Sequence, residues 1–278
     1  MVASMAAFAI EDALVKAASV SLPVGQILII FGIGGAIAFA GFARFNGEPL
    51  FINDVISKPM RVRALFEVIG RLFYILAIAF TPLSSATMIL QATPLVVVAG
   101  AAVVFRDNVG WQRWSAILIG FIGVVIIIAP GTHSFSILSI LAIIGMVGFA
   151  GRDLASRAAP ATLSTSILGL YGFLSILFAG VVYSVWEGVS FVYPDAWASI
   201  SLFAATAAGV AAYSCLMKAM RLGEVSAVTP FRYTRLLFGI TLGVMLFGEE
   251  ISSGMALGSA LIVFSGLFIL WRNQMSVR

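Results

Sequence analysis

The chain has 278 residues, of which 61% are hydrophobic and only 10% are charged, and its mean hydropathy is +1.10. Soluble domains carry about 25% charged residues, so this composition excludes a soluble protein and indicates an integral membrane protein. One cysteine and one histidine, His133 in a predicted turn, exclude a disulfide framework and a histidine or thiolate metal site, and we expect no cofactor. The net charge of +4 comes from scattered basic residues that form no patch, so we expect no nucleic-acid partner.

Ten apolar runs of about 20 residues, each bounded by glycine, proline or a charge, are long enough to cross a bilayer as helices. The sequence therefore predicts an all-α integral membrane protein with ten transmembrane helices that contact lipid. The runs lie near 1–19, 24–43, 62–80, 84–105, 112–129, 135–157, 163–184, 197–220, 225–247 and 252–271.

Basic residues mark only one set of segment ends. Twelve lysines or arginines lie at that set and none at the other, and cytoplasmic ends of membrane helices carry the excess of positive charge. We therefore expect both termini in the cytoplasm and a multi-pass protein of the bacterial inner membrane. The twelve residues are Arg44, Lys58, Arg61, Arg63, Arg106, Arg113, Arg152, Arg157, Lys218, Arg221, Arg272 and Arg278.

An internal repeat divides the chain. Residues 8–18 read FAIEDALVKAA and residues 149–159 read FAGRDLASRAA, while Asp107 and Glu249 end corresponding spans at a similar offset. Because five spans separate the copies, the two halves enter the membrane with opposite orientations, as in many secondary transporters. We expect one five-helix repeat over 1–130 and a second over 131–278.

Several of these motifs resemble those of a known family. The chain is similar to the drug/metabolite transporter superfamily, and specifically to its ten-helix EamA-type members, which implies two five-helix repeats and secondary transport. In one departure, Arg106-Asp107-Asn108 replaces a Leu-Gly-Glu-like ending, so the acid is kept and the glycine is lost. The stretches that carry the resemblance are Phe8–Lys16, Thr81–Ala86, Pro94–Leu95, Gly151–Arg157, Thr229–Thr234 and Phe247–Glu249.

Charged residues interrupt three of the apolar runs. Each costs about 2.5–3.5 kcal/mol at the bilayer centre, so seven unpaired charges would cost about 20 kcal/mol, more than the net stability of a typical domain. A helical rise of about 1.5 Å per residue places most of them near the midplane. We therefore predict one shared polar cavity. The seven residues are Glu11, Asp12, Lys16, Glu67, Arg71, Arg232 and Arg235.

The arginines of this set are the predicted substrate-binding groups, because the guanidinium fork suits carboxylates and phosphates. Pro230 is expected to kink the ninth helix beside them. The complete predicted substrate-binding set is Arg71, Arg232, Arg235, Glu67, Tyr74, Gln91, Tyr213 and Tyr233.

The carboxylates allow two interpretations. Glu11, Asp12 and Glu67 are candidates for proton coupling, and Glu11 is similar to the membrane glutamate of small multidrug-resistance proteins, which exchanges protons against substrate. Alternatively, spacings of four residues predict structural ion pairs within single helices. Those pairs are Asp12 with Lys16, Asp153 with Arg157, and Glu67 with Arg71.

The buried basic residues of this set outnumber the acids by four to three, which favours an anionic group on the ligand. We predict a secondary transporter that moves a small polar metabolite, an amino-acid-like zwitterion or an organic anion, by alternating access, with or without proton coupling. The alternative substrate is a cationic or aromatic metabolite, since the family that the chain resembles includes S-adenosylmethionine, riboflavin and drug transporters. No HExxH, GxSxG or GxxxxGK[ST] motif occurs, which leaves an intramembrane enzyme as a remote alternative. The sequence does not choose between a monomer and a homodimer.

Overall fold

A computed structural model describes residues 1–106, 110–128, 137–160, 162–222 and 229–277. Asp107, Asn108, His133 and Arg278 lie outside the described residues. Within these ranges every regular element is a helix, namely two short 3-10 helices at Asn53–Ile56 and Thr229–Tyr233 and eleven α-helices. The α-helices are α1 (Val2–Ala18), α2 (Val24–Phe45), α3 (Lys58–Phe80), α4 (Leu83–Leu90), α5 (Thr93–Val104), α6 (Trp111–Ile128), α7 (Ser139–Arg157), α8 (Thr165–Glu187), α9 (Ala196–Leu222), α10 (Thr234–Phe247) and α11 (Ser253–Val277).

Each of the ten predicted spans corresponds to a helix or a helix pair of the described chain. The fourth span is α4 followed by α5, and the ninth is the second 3-10 helix followed by α10. Seven segments are long and apolar enough to cross a bilayer by length and composition, which supports a multi-pass membrane protein. Those segments are Val24–Phe45, Leu83–Val104, Trp111–Ile128, Ser139–Arg157, Thr165–Glu187, Ala196–Ala219 and Ser253–Arg272.

The helices pack as four main pairs, which are α2 with α8, α3 with α7, α1 with α9, and α6 with α11. Glycines bring two of these pairs into backbone contact. A Cβ atom on Gly148 of α7 would lie 2.4 Å from the backbone of Gly70 on α3, and one on Gly123 of α6 would lie 2.6 Å from the carbonyl oxygen of Gly258 on α11. Lipid is as apolar as the helix surfaces, so such close van der Waals packing is what holds membrane helices together.

The ends of α5 and α10 share one turn geometry but differ in the residue that adopts it. Beyond the end of α5, Arg106 has a φ of +56°, and directly after α10, Gly248 has a φ of +62°. A left-handed conformation costs a residue with a side chain about 1–2 kcal/mol, whereas glycine adopts it freely. Position 106 therefore has a left-handed conformation that favours glycine but is occupied by arginine.

Replacing Arg106 by glycine is expected to raise the free energy of unfolding by about 1 kcal/mol, because the exposed arginine side chain is replaced by hydrogen at a left-handed position. Thermal unfolding in detergent measures the change. The matched variant Gly248→Ala should have the opposite sign and a similar size. A lower stability for Arg106→Gly would contradict the assignment of strain to this turn.

Candidate functional site

Nine charged side chains from α1, α3, α7 and the 229–235 segment form three neighbouring groups of ion pairs. We call them together the charge network. Its carboxylates lie on α1, α3 and α7, and its guanidinium groups lie on α3, α7 and both sides of the start of α10. The nine residues are Glu11, Asp12, Arg63, Glu67, Arg71, Arg152, Asp153, Arg232 and Arg235.

The first group joins α1 to α3. Arg71 Nη1 donates to Glu11 Oε1 at 2.6 Å, and the guanidinium lies between the rings of Phe31 and Phe149, at 5.5 and 5.8 Å from their centroids. Glu11 is only 1% exposed, and its second carboxylate oxygen has no hydrogen-bond partner within the described residues. Within the described residues, Arg71 is thus the one ion-pair partner of this carboxylate.

The second group joins α1 to α3 and α10. Arg235 donates through Nη2 at 2.6 Å and through Nε at 3.2 Å to Asp12 Oδ2. The hydroxyl of Tyr74 donates to the same oxygen at 3.2 Å. The Arg235 guanidinium also lies 5.0 Å from the centroid of the Phe8 ring. Three N–H or O–H groups thus converge on one buried carboxylate oxygen and fix the position of α10 relative to α1.

The third group joins α3, α7 and the 229–233 helix. Glu67 lies 3.6 Å from Arg63 Nη2 and 3.4 Å from Arg152 Nη1. Asp153 lies 2.8 Å from Arg152 Nη2 and 3.4 Å from Arg232 Nη2. Its outer members are the open part of the network, because the side chain of Arg232 is 29% exposed and that of Asp153 23%, whereas that of Asp12 is 2% exposed.

A further ion pair, outside the charge network, lies where α1, α3 and α10 end and α4 begins. Lys16 Nζ donates to the carbonyl oxygens of Ile78 at 3.1 Å and Thr81 at 2.6 Å, and it lies 3.8 Å from Glu249 Oε1. The Glu249 carboxylate accepts from the backbone N–H groups of Leu83 at 2.6 Å and Ser84 at 2.8 Å. We call this arrangement the Lys16–Glu249 latch. A carboxylate on the first N–H groups of a helix satisfies otherwise unpaired donors and complements the helix dipole.

Replacing Glu249 by alanine is expected to lower the free energy of unfolding by about 2 kcal/mol, because two N–H groups of α4 and the Lys16 ammonium lose their acceptor. The neighbouring Glu250 is exposed and makes no described contact. Glu250→Ala is therefore the matched control and should change the stability by less than about 0.5 kcal/mol. Equal effects of the two variants in thermal unfolding would show that the latch contributes no stability.

Comparison with known proteins identifies the family. The profile of the EamA-like transporter family matches residues 1–129 and again residues 136–271. The chain belongs to this family. The prediction of a drug/metabolite transporter superfamily member is thereby confirmed.

Named relatives of this EamA-like protein are transporters. The chain is similar to the S-adenosylmethionine uptake transporter of Rickettsia prowazekii (strain Madrid E), with 24% identity over 78% of this chain and 72% of that protein. It is 28% identical to the riboflavin transporter of Vibrio cholerae serotype O1, over 78% of this chain and 73% of that protein. It is 23% identical to the pseudopaline exporter CntI of Pseudomonas aeruginosa, over 96% of this chain and 93% of that protein.

The fold also has a counterpart among solved structures. One crystal structure matches 95% of this chain and 93% of its own chain with a TM-score of 0.62 and 17% identity. At that identity the match concerns the fold alone. Family and named relatives together make the chain a membrane transporter of the drug/metabolite superfamily, and none of the relatives named above is an enzyme.

The transporter does not form the ion pairs predicted within α1 and α3. Asp12 binds Arg235 rather than Lys16, which contacts Glu249 instead. Within α3, Glu67 and Arg71 do not pair, because Arg71 is bonded to Glu11 and Glu67 lies between Arg63 and Arg152. Spacing along one helix identifies only possible partners on that helix. Here the neighbouring helices place guanidinium groups next to Glu11 and Asp12.

The described ion pairs of Asp153 on α7 are with other residues than the predicted Arg157. Asp153 pairs with Arg152 and Arg232, and the guanidinium of Arg157 lies 4.7 Å from the centroid of the Phe105 ring.

Sequence reasoning missed two members of the charge network. Arg63 and Arg152 were counted among the basic residues of cytoplasmic segment ends, but Arg63 is only 3% exposed and both contact Glu67. The available signals were the position of Arg63 four residues before Glu67 and the position of Arg152 directly before Asp153. Both arginines therefore belong to the candidate site.

The remaining predicted residues divide between the network and the packing around it. Tyr74 belongs to the Asp12 group, and Gln91 Nε2 donates to the carbonyl oxygen of Arg232 at 3.3 Å. Tyr233 is turned towards α11, where a Cβ atom on Gly266 would collide with its hydroxyl group. Tyr213 on α9 packs edge-on against Phe39, with ring centroids 5.4 Å apart.

Two spans of the transporter are interrupted where they meet. The fourth breaks at residues 91–92, between α4 and α5, and the ninth changes from a 3-10 helix to α10 at residues 233–234. The Gln91–Arg232 hydrogen bond connects the two breaks. Interrupted helices with free backbone groups are a device by which secondary transporters build polar sites inside the membrane. The kink expected near Pro230 matches the second break, whereas the first was not predicted.

Proposed function

We propose that this EamA-like transporter moves a small polar metabolite that carries a carboxylate or phosphate, either an amino-acid-like zwitterion or an organic anion, across the bacterial inner membrane by alternating access. One observation carries the proposal. The charge network contains five guanidinium groups and four carboxylates, and the Glu11 and Asp12 groups each hold one of each. The excess positive charge therefore falls in the third group, where Arg63, Arg152 and Arg232 face Glu67 and Asp153.

This excess favours an anionic group on the ligand. A guanidinium group in excess of the carboxylates is available to a ligand carboxylate or phosphate, which accepts from its N–H groups in charge-assisted hydrogen bonds. Because the third group is also the most exposed part of the network, a ligand reaches it without first breaking a buried pair. The names of the relatives mention three different compounds, so the substrate class proposed here rests on the site itself.

The proposed architecture is two inverted five-helix repeats over 1–130 and 131–278, with both termini in the cytoplasm. Two properties support it. The family profile matches the chain twice in succession, and exchange of the halves converts the α1–α9 pair into the α3–α7 pair and leaves α2–α8 and α6–α11 unchanged. A substrate site between such halves is reached alternately from the two sides of the membrane.

Alternating access also requires a closed end. The Lys16–Glu249 latch ties α1, α3, α4 and α10 together at the end that the positive-charge distribution assigns to the outside. The partly exposed Arg232 and Asp153 lie in the other half of the site, towards the end of α7. We propose that the structure represents a conformation closed at the outer end and accessible from the cytoplasm.

Proton coupling is assigned to a carboxylate of the network. Glu11, Asp12 and Glu67 all remain candidates, and Glu11 is favoured because its second oxygen is buried and accepts no hydrogen bond from the described residues. Glu11→Gln should then make transport independent of the proton gradient while ligand binding persists.

A thermal-shift screen of the purified protein against a metabolite panel tests the proposal, with Arg71→Ala and Arg232→Ala as comparison variants. A ligand at 100 times its dissociation constant adds about 2.7 kcal/mol of stability, which is measurable. We expect stabilisation by carboxylates or phosphates that is lost in both variants. Stabilisation by cationic or neutral aromatic compounds that persists in both variants would contradict the proposed substrate class and move the site to Glu11, Asp12 and Glu67.

A further inference from the structure

Two ion pairs of the network consist of the same groups, an aspartate and an arginine, but differ in length and exposure. Asp12 and Asp153 occupy equivalent positions of the internal repeat, and each holds one arginine of the same short segment, Arg235 and Arg232 respectively. The Asp12 pair has a separation of 2.6 Å, and the Asp153 pair has a separation of 3.4 Å. Charge-assisted N–H···O bonds are typically about 2.7–2.9 Å long, so the Asp153–Arg232 contact is a long one.

The two pairs also differ in their surroundings. The Asp12 carboxylate is buried and accepts from Tyr74 as well as twice from Arg235. A ligand that separated this pair would leave a buried charge without a partner, which costs several kcal/mol. The side chain of Asp153 is 23% exposed, whereas that of Asp12 is 2% exposed. A ligand can therefore enter between Asp153 and Arg232 at much lower cost.

Each member of the open pair is held in place independently of the other. Asp153 Oδ1 accepts from Arg152 Nη2 at 2.8 Å and from Arg152 Nε at 3.0 Å, so this carboxylate stays compensated when Arg232 moves. The main chain of Arg232 is fixed by the Gln91 side chain, whereas its guanidinium makes one described hydrogen bond, the long contact to Asp153. Of the five N–H donors of a guanidinium group, four have no hydrogen-bond partner within the described residues.

We infer that the substrate head group binds between Arg232 and Asp153, with a carboxylate on the guanidinium of Arg232 and an ammonium group on the carboxylate of Asp153. This inference rests on the proposed function and narrows its substrate class to an α-amino acid or a compound that carries the same head group. A plain organic anion on Arg232 would lie beside Asp153 Oδ2, the carboxylate oxygen that Arg152 does not bond, with no cation between them. An ammonium group on the ligand removes that repulsion. It takes the place of the Arg232 guanidinium as the second cation on Asp153.

The test uses two sets of three compounds in which only the head group changes. One set is phenylalanine, 3-phenylpropanoate and phenethylamine, and the other is norleucine, hexanoate and pentylamine. Apparent dissociation constants of the purified wild-type protein are measured at pH 7 by thermal shift. We expect at least one amino acid to bind about tenfold more tightly than its matching acid, a difference of about 1.4 kcal/mol, and the matching amine to bind more weakly than either.

Variants test which residue binds the ammonium group of the ligand and which binds its carboxylate. Asp153→Asn should abolish the preference, because it weakens binding of the amino acid and, by removing the repulsion, strengthens binding of the acid. Arg232→Gln should weaken binding of both at least tenfold. Arg44→Gln removes an exposed arginine outside the network and should change neither. Gel filtration verifies that each variant is folded. Because the wild-type comparison involves no substitution, it decides the question even where a variant fails to fold.

The inference is overturned if the acid binds as tightly as the amino acid, if Asp153→Asn leaves the preference intact, or if no compound of either set binds. The metabolite panel distinguishes failure of the head-group assignment from failure of the proposed function. A panel carboxylate or phosphate whose binding depends on Arg71 and Arg232 would preserve the proposed function without the head-group assignment. Absence of any such ligand would overturn both.

Discussion

Replacing Arg235 by methionine is expected to lower the free energy of unfolding by about 3–5 kcal/mol and to abolish ligand binding, because the buried Asp12 carboxylate loses its charged partner. The side chain of Asp12 is 2% exposed, so water does not compensate the charge. Tyr74 is then the one remaining described donor to this carboxylate. Thermal and denaturant unfolding in detergent measure the loss.

The double variant Asp12→Asn, Arg235→Met separates charge from packing. Because it removes both charges, it should recover most of the lost stability, and transport should stay absent because the link between α1 and α10 is broken. Arg44→Met is the matched exposed control and should change the stability by less than about 0.5 kcal/mol. If Arg235→Met costs no more than Arg44→Met, the Asp12–Arg235 pair is not a buried structural bond.

Replacing Gly148 by alanine is expected to lower the free energy of unfolding by about 2–3 kcal/mol. The added Cβ atom would lie 2.4 Å from the main chain of Gly70, and a backbone cannot yield as a flexible side chain can. Helices α3 and α7 must therefore separate. Because α3 carries Glu67 and α7 carries Arg152, ligand binding should be lost together with stability.

Gly41→Ala is the control for this change, since a Cβ atom there meets nothing within 4 Å. Alanine favours a helix over glycine by about 1 kcal/mol, so Gly41→Ala should be neutral or slightly stabilising. Thermal unfolding and the binding assay are run on both variants. Equal stability of Gly148→Ala and the wild type would show that α3 and α7 are less closely packed than described.

The positions of the helices could be predicted from sequence because each span must be apolar over a fixed length. The ends of α2, α6 and α9 lie within about three residues of the predicted boundaries, as expected for this kind of inference. The break between α4 and α5 was missed. The run 84–105 contains Gln91, Thr93 and Pro94 at this point, and α5 begins at Thr93 with Pro94 in its first turn. Because proline lacks an N–H group and restricts the residue before it, Pro94 was a sequence signal for the break.

The existence of a buried polar site also followed from the sequence, but its pairing did not. The cost of isolated charges in lipid requires partners, and repeat spacing offers only those on the same helix. The contacts of Asp12 with Arg235 and of Lys16 with Glu249 join residues more than 220 positions apart. Such contacts depend on how the helices assemble, which no local spacing records.

Uptake into proteoliposomes tests whether the protein transports an anionic metabolite that binds at Arg232. The purified transporter is reconstituted with the carboxylate or phosphate compound that gives the largest thermal shift, and saturable uptake is measured for wild type, Arg232→Ala and the exposed control Arg44→Ala. We expect saturable uptake by wild type and by Arg44→Ala, and at least a tenfold loss in Arg232→Ala. Undiminished uptake by Arg232→Ala, or uptake confined to cationic compounds, would contradict it.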